Sequence, residues 1–137
     1  MEKMRILLVA GGWSTEREIS LTGAAAIAEK LVARGHAVTL FDLSDGFETL
    51  LKLAGEHDVA FLNLHGQPGE DGLVQALLES VGCPYQGSGP AGSFRALNKA
   101  AGKALFRRAG LLTPDYEFLP VRPAADWKPS LPFPLFV

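Results

Sequence analysis

The chain has 137 residues, of which 47% are hydrophobic and 20% charged, the composition of a globular protein and the length of about one domain. Thirteen basic and fifteen acidic side chains give a formal charge of -2 without long runs of one sign, so neither nucleic acid nor an acidic membrane is expected as a partner. No apolar stretch approaches the roughly 20 residues that cross a bilayer, and the single cysteine, Cys83, excludes an internal disulfide, so a cytoplasmic setting is expected.

The first element is the run "MRILLVAGG", whose aliphatic content and closing glycines read as a strand covered on both faces. A helix follows from about Ser20. Ala24, Ile27, Ala28 and Leu31 share its apolar face, and Arg34 and Gly35 supply an ending. "HAVTLFDL", His36 to Leu43, is a second strand, and a β-α-β unit of this spacing implies parallel pairing. A short amphipathic segment from Phe47 to Leu53 leads to a third strand in "DVAFLNLHG", and a helix is expected from about Asp71 to Ser80.

"CPYQGSGPAGS" reads as a short strand entering a Gly/Ser/Pro loop, with Cys83 a small buried hydrophobe rather than a nucleophile. "FRALNKAAGKALFRRAG" reads as one basic helix ended by Gly110. Prolines then become dense, which suits a linker, yet the chain finishes on the strand-like run "FPLFV". A free-standing domain seldom stops inside such a strand, so a piece of a longer protein is expected. The fold class is α/β: three α/β/α layers around a small, mostly parallel, Rossmann-like sheet.

In open α/β sheets ligands bind beyond the C-terminal ends of strands. Three loops qualify: "GGWSTEREIS", "NLHGQPGEDG" and "YQGSGPAGS". None matches a P-loop or a dinucleotide fingerprint. In the first, Thr15 and Glu18 fit a capping box, which leaves Glu16 and Arg17 without a structural duty; Glu16 is either a first-turn acid favoured by the helix dipole or a ligand-binding carboxylate. His65, at a strand end beside Gly66, is either a satisfied loop histidine or a group that binds an anion or moves a proton. Glu70 and Asp71 are explained by the helix dipole, with ligand binding as the other reading. His36 and His57 fit surface roles. Lys99, Lys103 and Arg107 lie one turn apart, as a solvated face or as a phosphate contact. No metal-ligand spacing is present.

Taken together, "LLVAGGWSTEREISLTGAAAI", "NLHGQPGEDGLVQALLESVGCPYQGSGPAGS" and "LNKAAGKALFRRAGLLTP" resemble, in order and spacing, the N-terminal region of D-alanine–D-alanine ligases, ATP-grasp enzymes of peptidoglycan synthesis. The resemblance implies a pre-ATP-grasp domain over residues 1–113, with 114–137 as a Pro-rich linker and the first strand of the ATP-grasp region. It implies that Glu16 holds the ammonium of the first D-alanine, that His65 and Gly66 lie beside the same substrate, and that Lys99 contacts ATP phosphate. ATP and magnesium ions are implied as cofactors, D-alanine as substrate and a homodimer as the assembly. The family's usual "MDK" is "LNK" here, so Asn98 replaces an acid, and Phe94 and Arg95 stand where small residues are common.

The family's second ATP lysine, magnesium carboxylates, intermediate-stabilising arginine and lid loop have no counterpart in these 137 residues. The chain alone is therefore expected not to form dipeptide. Two other readings stand beside this one: a ligase joining D-alanine to D-lactate, and a non-catalytic α/β module for a ligand or partner.

Overall fold

In the computed structural model, which describes residues 2–136, the chain divides into two compact units, Met1–Leu97 and Asn98–Val137. The first holds a three-stranded parallel sheet in the order β2-β1-β3, from β1 (Arg5–Ala10), β2 (Ala37–Asp42) and β3 (Val59–Leu62). The first three expected strands and their parallel pairing are present. The register runs Leu7 opposite Thr39 on one side and Ala60 on the other.

Helix α1 (Arg17–Ala33) connects β1 to β2, and α2 (Phe47–Glu56) connects β2 to β3 after a 3-10 turn at Leu43–Asp45. Helices α3 (Leu73–Ser80) and α4 (Pro90–Leu97) follow. Ile6 to Ala10 are all buried because both faces of β1 are covered. Leu7 and Val9 pack in a cluster with Leu50 and Ala54 of α2 and Val74 and Leu78 of α3, whereas Leu8 and Ala10 pack with Ala24 of α1. A fully buried leucine contributes about 1.5 to 3 kcal/mol, so the continuous apolar run of β1 is the physical centre of the three layers.

The strand expected in "CPYQGSGPAGS" is reduced to one bridge, Tyr85 beside Ala60. The Ala60 amide donates to the Pro84 carbonyl at 2.8 Å, and one step along the Gln86 side chain takes over. Its amide oxygen accepts from the Leu62 N–H at 2.8 Å while its amide nitrogen donates to the Leu62 carbonyl at 2.7 Å.

The basic helix expected from Phe94 to Gly110 is two helices, because α4 ends at Leu97 and Asn98 starts α5 (Lys99–Arg108). Asn98 has extended backbone and its Oδ1 accepts from the Ala101 amide at 3.0 Å, an N-cap that competes with continuing the previous helix. In this second unit Lys103 donates to Thr113 Oγ1 and the Pro114 carbonyl at 2.9 and 2.8 Å. Arg107 pairs with Asp115 at 3.2 Å and lies 4.8 Å from the Tyr116 ring centroid. Both side chains therefore hold the following segment, contrary to a purely solvated or phosphate-facing row. Among the described residues nothing after Arg108 is helix or strand. The terminal strand is thus not formed over Phe133–Phe136, and Val137 lies outside the described residues.

Candidate functional site

The chain leaves β1 for β2 on one side and later for β3 on the other, so the C-terminal edge between the β1 and β3 loops is the switch point where ligands bind in open α/β sheets. The first wall is built by Gly11 and Gly12, at φ +71° and +85°. A side chain on Gly11 would run into the Asp42 carboxylate. The Gly11 amide donates to Ser20 Oγ at 2.8 Å and the Gly12 amide to Asp42 Oδ1 at 3.0 Å. Trp13 meets Phe47 edge-on, with ring centroids 5.5 Å apart.

The capping box does not form. Ser14 turns the chain instead, its Oγ accepting from the Glu16 amide at 3.2 Å and its carbonyl from the Arg17 amide at 3.2 Å, and the helix begins only at Arg17. Nor is Arg17 idle: its guanidinium donates to Asp42 across the loop and to Glu18 at 3.1 Å. Long-range partners outcompete the local box.

Asp42 is the anchor of this wall. Partial burial pushes its carboxyl up, but hydrogen bonds from the Gly12 and Ser44 amides, the Ser44 side chain and the Arg17 guanidinium outweigh that and bring it down to about 2. Its ordinary value is 3.8. A depressed value means that the contribution, about 2 kcal/mol, is complete above pH 4 and is lost as pH falls through about 2. Asp42→Asn is therefore expected to unfold at lower urea than the wild type at pH 7, with the gap narrowing towards pH 2; a gap independent of pH would overturn this account.

The second wall runs from Asn63 to Gly72. The Asn63 amide extends the ladder to the Val9 carbonyl at 2.8 Å, and its side chain donates to the Ser20 carbonyl at 2.7 Å. Ser20 Oγ in turn donates to the Asn63 carbonyl. Gly66, at φ +66°, lies against Ser14: a Cβ there would sit 3.4 Å from the serine Cβ, so the two walls touch. The Gly66 amide donates to Glu70 Oε2 at 3.0 Å and the Glu70 amide to the Gly66 carbonyl at 2.8 Å. Glu70 thus folds the loop, and Asp71 Oδ1 accepts from the Leu73 amide at 3.0 Å at the start of α3.

The third loop closes from below. Gly72, at φ +95°, has the Pro90 carbonyl where a side chain would begin. Tyr85 donates to Glu79 at 2.7 Å, and burial first, then that carboxylate, pushes the phenol up to about 12.

Glu16 is exposed and His65 half-buried, on the two walls that touch. Among the described residues neither side chain has a hydrogen-bond or ion-pair partner. Lys99 is exposed at the start of α5, in the other compact unit. The remaining candidates have structural duties. His36 Nδ1 accepts from the Met4 amide at 3.3 Å, and His57 bonds the Leu53 carbonyl at 2.6 Å and Thr39 Oγ1 at 2.8 Å, so it ties the end of α2 to β2 rather than fitting a surface role. Cys83 is buried, and burial raises its thiol, so it is an inert core residue.

Ser20, Asn63 and Asp42 were missed by sequence reasoning. Ser20 interrupts an otherwise apolar helix face and Asp42 is an acid at a strand's C-terminal end, which were the available signals. Among the described residues no three His, Cys, Asp or Glu side chains gather to hold a metal. No helix among them is long and apolar enough to cross a membrane.

Residues 46–88 match a family model described as the D-ala D-ala ligase N-terminus. The chain is 64% identical over 134 residues to a D-alanine--D-alanine ligase of Desulfovibrio desulfuricans and 63% identical to one of Nitratidesulfovibrio vulgaris. Each alignment covers 98% of this chain and 44% of the relative, so the chain spans less than half the length of the curated relatives it matches. Its fold is similar to that of a Bacillus anthracis D-alanine--D-alanine ligase solved with ATP, with TM-score 0.76 and 36% identity over 82% of this chain and 38% of that one. A Coxiella burnetii ligase gives TM-score 0.74 at 25% identity, over 92% of this chain and 47% of that one. By sequence and by fold, the chain belongs to the D-alanine–D-alanine ligase family, to whose N-terminal region it corresponds.

Proposed function

We propose that this chain is the part of a cytoplasmic D-alanine–D-alanine ligase that grips the first D-alanine. The observation that carries the reading is the Glu16 carboxylate on the β1 loop, without a partner among the described residues, in a chain 64% identical to a ligase of that name. Arg17 is already paired with Asp42 and Glu18. An ammonium brought to this wall therefore meets a carboxylate with no internal competitor, and a charged hydrogen bond of this kind is worth about 1.5 to 3 kcal/mol.

His65, on the touching loop, donates to the carboxylate of the same D-alanine. Gly66 serves through its missing side chain, since its amide is engaged by Glu70. Residues 1–113 form the substrate-binding region and 114–137 lead into the ATP-grasp part. ATP, when bound, supplies the phosphoryl group that activates the D-alanine carboxylate, and Lys99, a cation exposed at a helix start, fits a phosphate contact. Magnesium, when bound, would be held by carboxylates of the ATP-grasp part. The complete ligase works as a homodimer.

The test is phosphate release from ATP and D-alanine. The complete ligase, made by joining residues 1–137 to the remaining length of the Desulfovibrio desulfuricans relative, is expected to turn over, and residues 1–137 alone are not. Ordinary turnover by the isolated chain would show that the division of labour is wrong.

A further inference from the structure

We infer that Ser20 and Asn63 are positioning residues that lock the loop bearing Glu16 to the loop bearing His65, so that first-site D-alanine affinity depends on this buried junction. The inference rests on the reading of Glu16 as the ammonium partner. Ser20 is fully buried, and it touches both walls at once. Its backbone amide donates to the Glu16 carbonyl at 3.0 Å, its Oγ accepts from the Gly11 amide at 2.8 Å, and the same Oγ donates to the Asn63 carbonyl.

Asn63 returns the contact. Its side-chain amide donates to the Ser20 carbonyl at 2.7 Å. Gly23 leaves room for that amide: a Cβ at Gly23 would lie 3.0 Å from Asn63 Nδ2. Asn63 stands two residues before His65, and Ser20 one helical turn after Glu16, so one hydroxyl and one amide set the spacing of the two substrate groups.

Ser20 Oγ both accepts and donates and the Asn63 side-chain nitrogen donates within the chain, and a buried polar network with its donors paired in this way favours a single geometry. A side chain that served only to support the fold would affect all substrates alike. A positioning residue acts through Glu16, and that difference can be measured.

The experiment is a double-mutant cycle in the complete ligase, with Ser20→Ala, Glu16→Gln and the pair, reading the KM for the first D-alanine and the KM for ATP. Ser20→Ala is expected to raise the D-alanine KM about tenfold and the ATP KM by less than about twofold, and to add almost nothing in the Glu16→Gln background. Asn63→Ala, which removes the donor without a buried charge, is expected to behave in the same way and carries the test if Ser20→Ala fails to fold.

If the D-alanine KM is unchanged by both substitutions, or if the effect is the same size with and without Glu16, the inference is overturned while the role of Glu16 stands. If Glu16→Gln itself leaves the D-alanine KM unchanged, the reading of Glu16 fails, and this inference with it.

Discussion

Glu16→Gln in the complete ligase is expected to raise the KM for the first D-alanine by about ten- to a hundredfold, while the KM for ATP stays within about twofold. The substitution keeps the shape of the side chain and removes its charge. Because among the described residues Glu16 has no internal partner, no buried cation is orphaned and the fold should not be weakened. The loss therefore isolates substrate binding. Steady-state kinetics with each substrate varied in turn is the check, and equal losses for ATP and D-alanine would place Glu16 outside the amino-acid site.

The largest stability effect is expected at Leu7→Ala, about 2 to 5 kcal/mol measured by urea unfolding. Leu7 has no exposed surface and packs in the cluster shared by β1, α2 and α3. Its neighbours in the strand are hydrogen-bonded on both sides, so the backbone cannot close in on the cavity. With typical domain stability of about 5 to 15 kcal/mol, the variant would sit near the limit of folding. A cost under about 1 kcal/mol would mean that β1 is not the centre of the core.

The elements that were legible in the sequence are those whose signals are local and apolar. The run from Ile6 to Ala10 could only be covered on both faces, and the Arg34–Gly35 ending of α1 is a local geometric requirement, met by Gly35 at φ +90°. That the first two loops share one edge also follows from their places between a strand and the next helix. What failed was governed by partners distant in sequence. The Thr15–Glu18 pattern is a sound local cap, but Arg17 finds Asp42 twenty-five residues away and the helix starts at Arg17. Likewise the continuous basic helix was broken by one short side chain, since Asn98 offers the backbone an alternative partner. The junction of Ser20 with Asn63 spans forty-three residues, and no spacing rule reaches that far.

At the outer border of β3 the Gln86 amide takes the place of one peptide unit, with a donor and an acceptor in the order that a neighbouring strand would present. A sheet with an open border is a template for a foreign strand, and here the last open rung is filled by a side chain. The main chain of residues 86–89 is thereby released from the ladder, with Gly87 at φ +103° turning it away. At that rung the edge of β3 is therefore closed to a foreign strand by a side chain of the same chain.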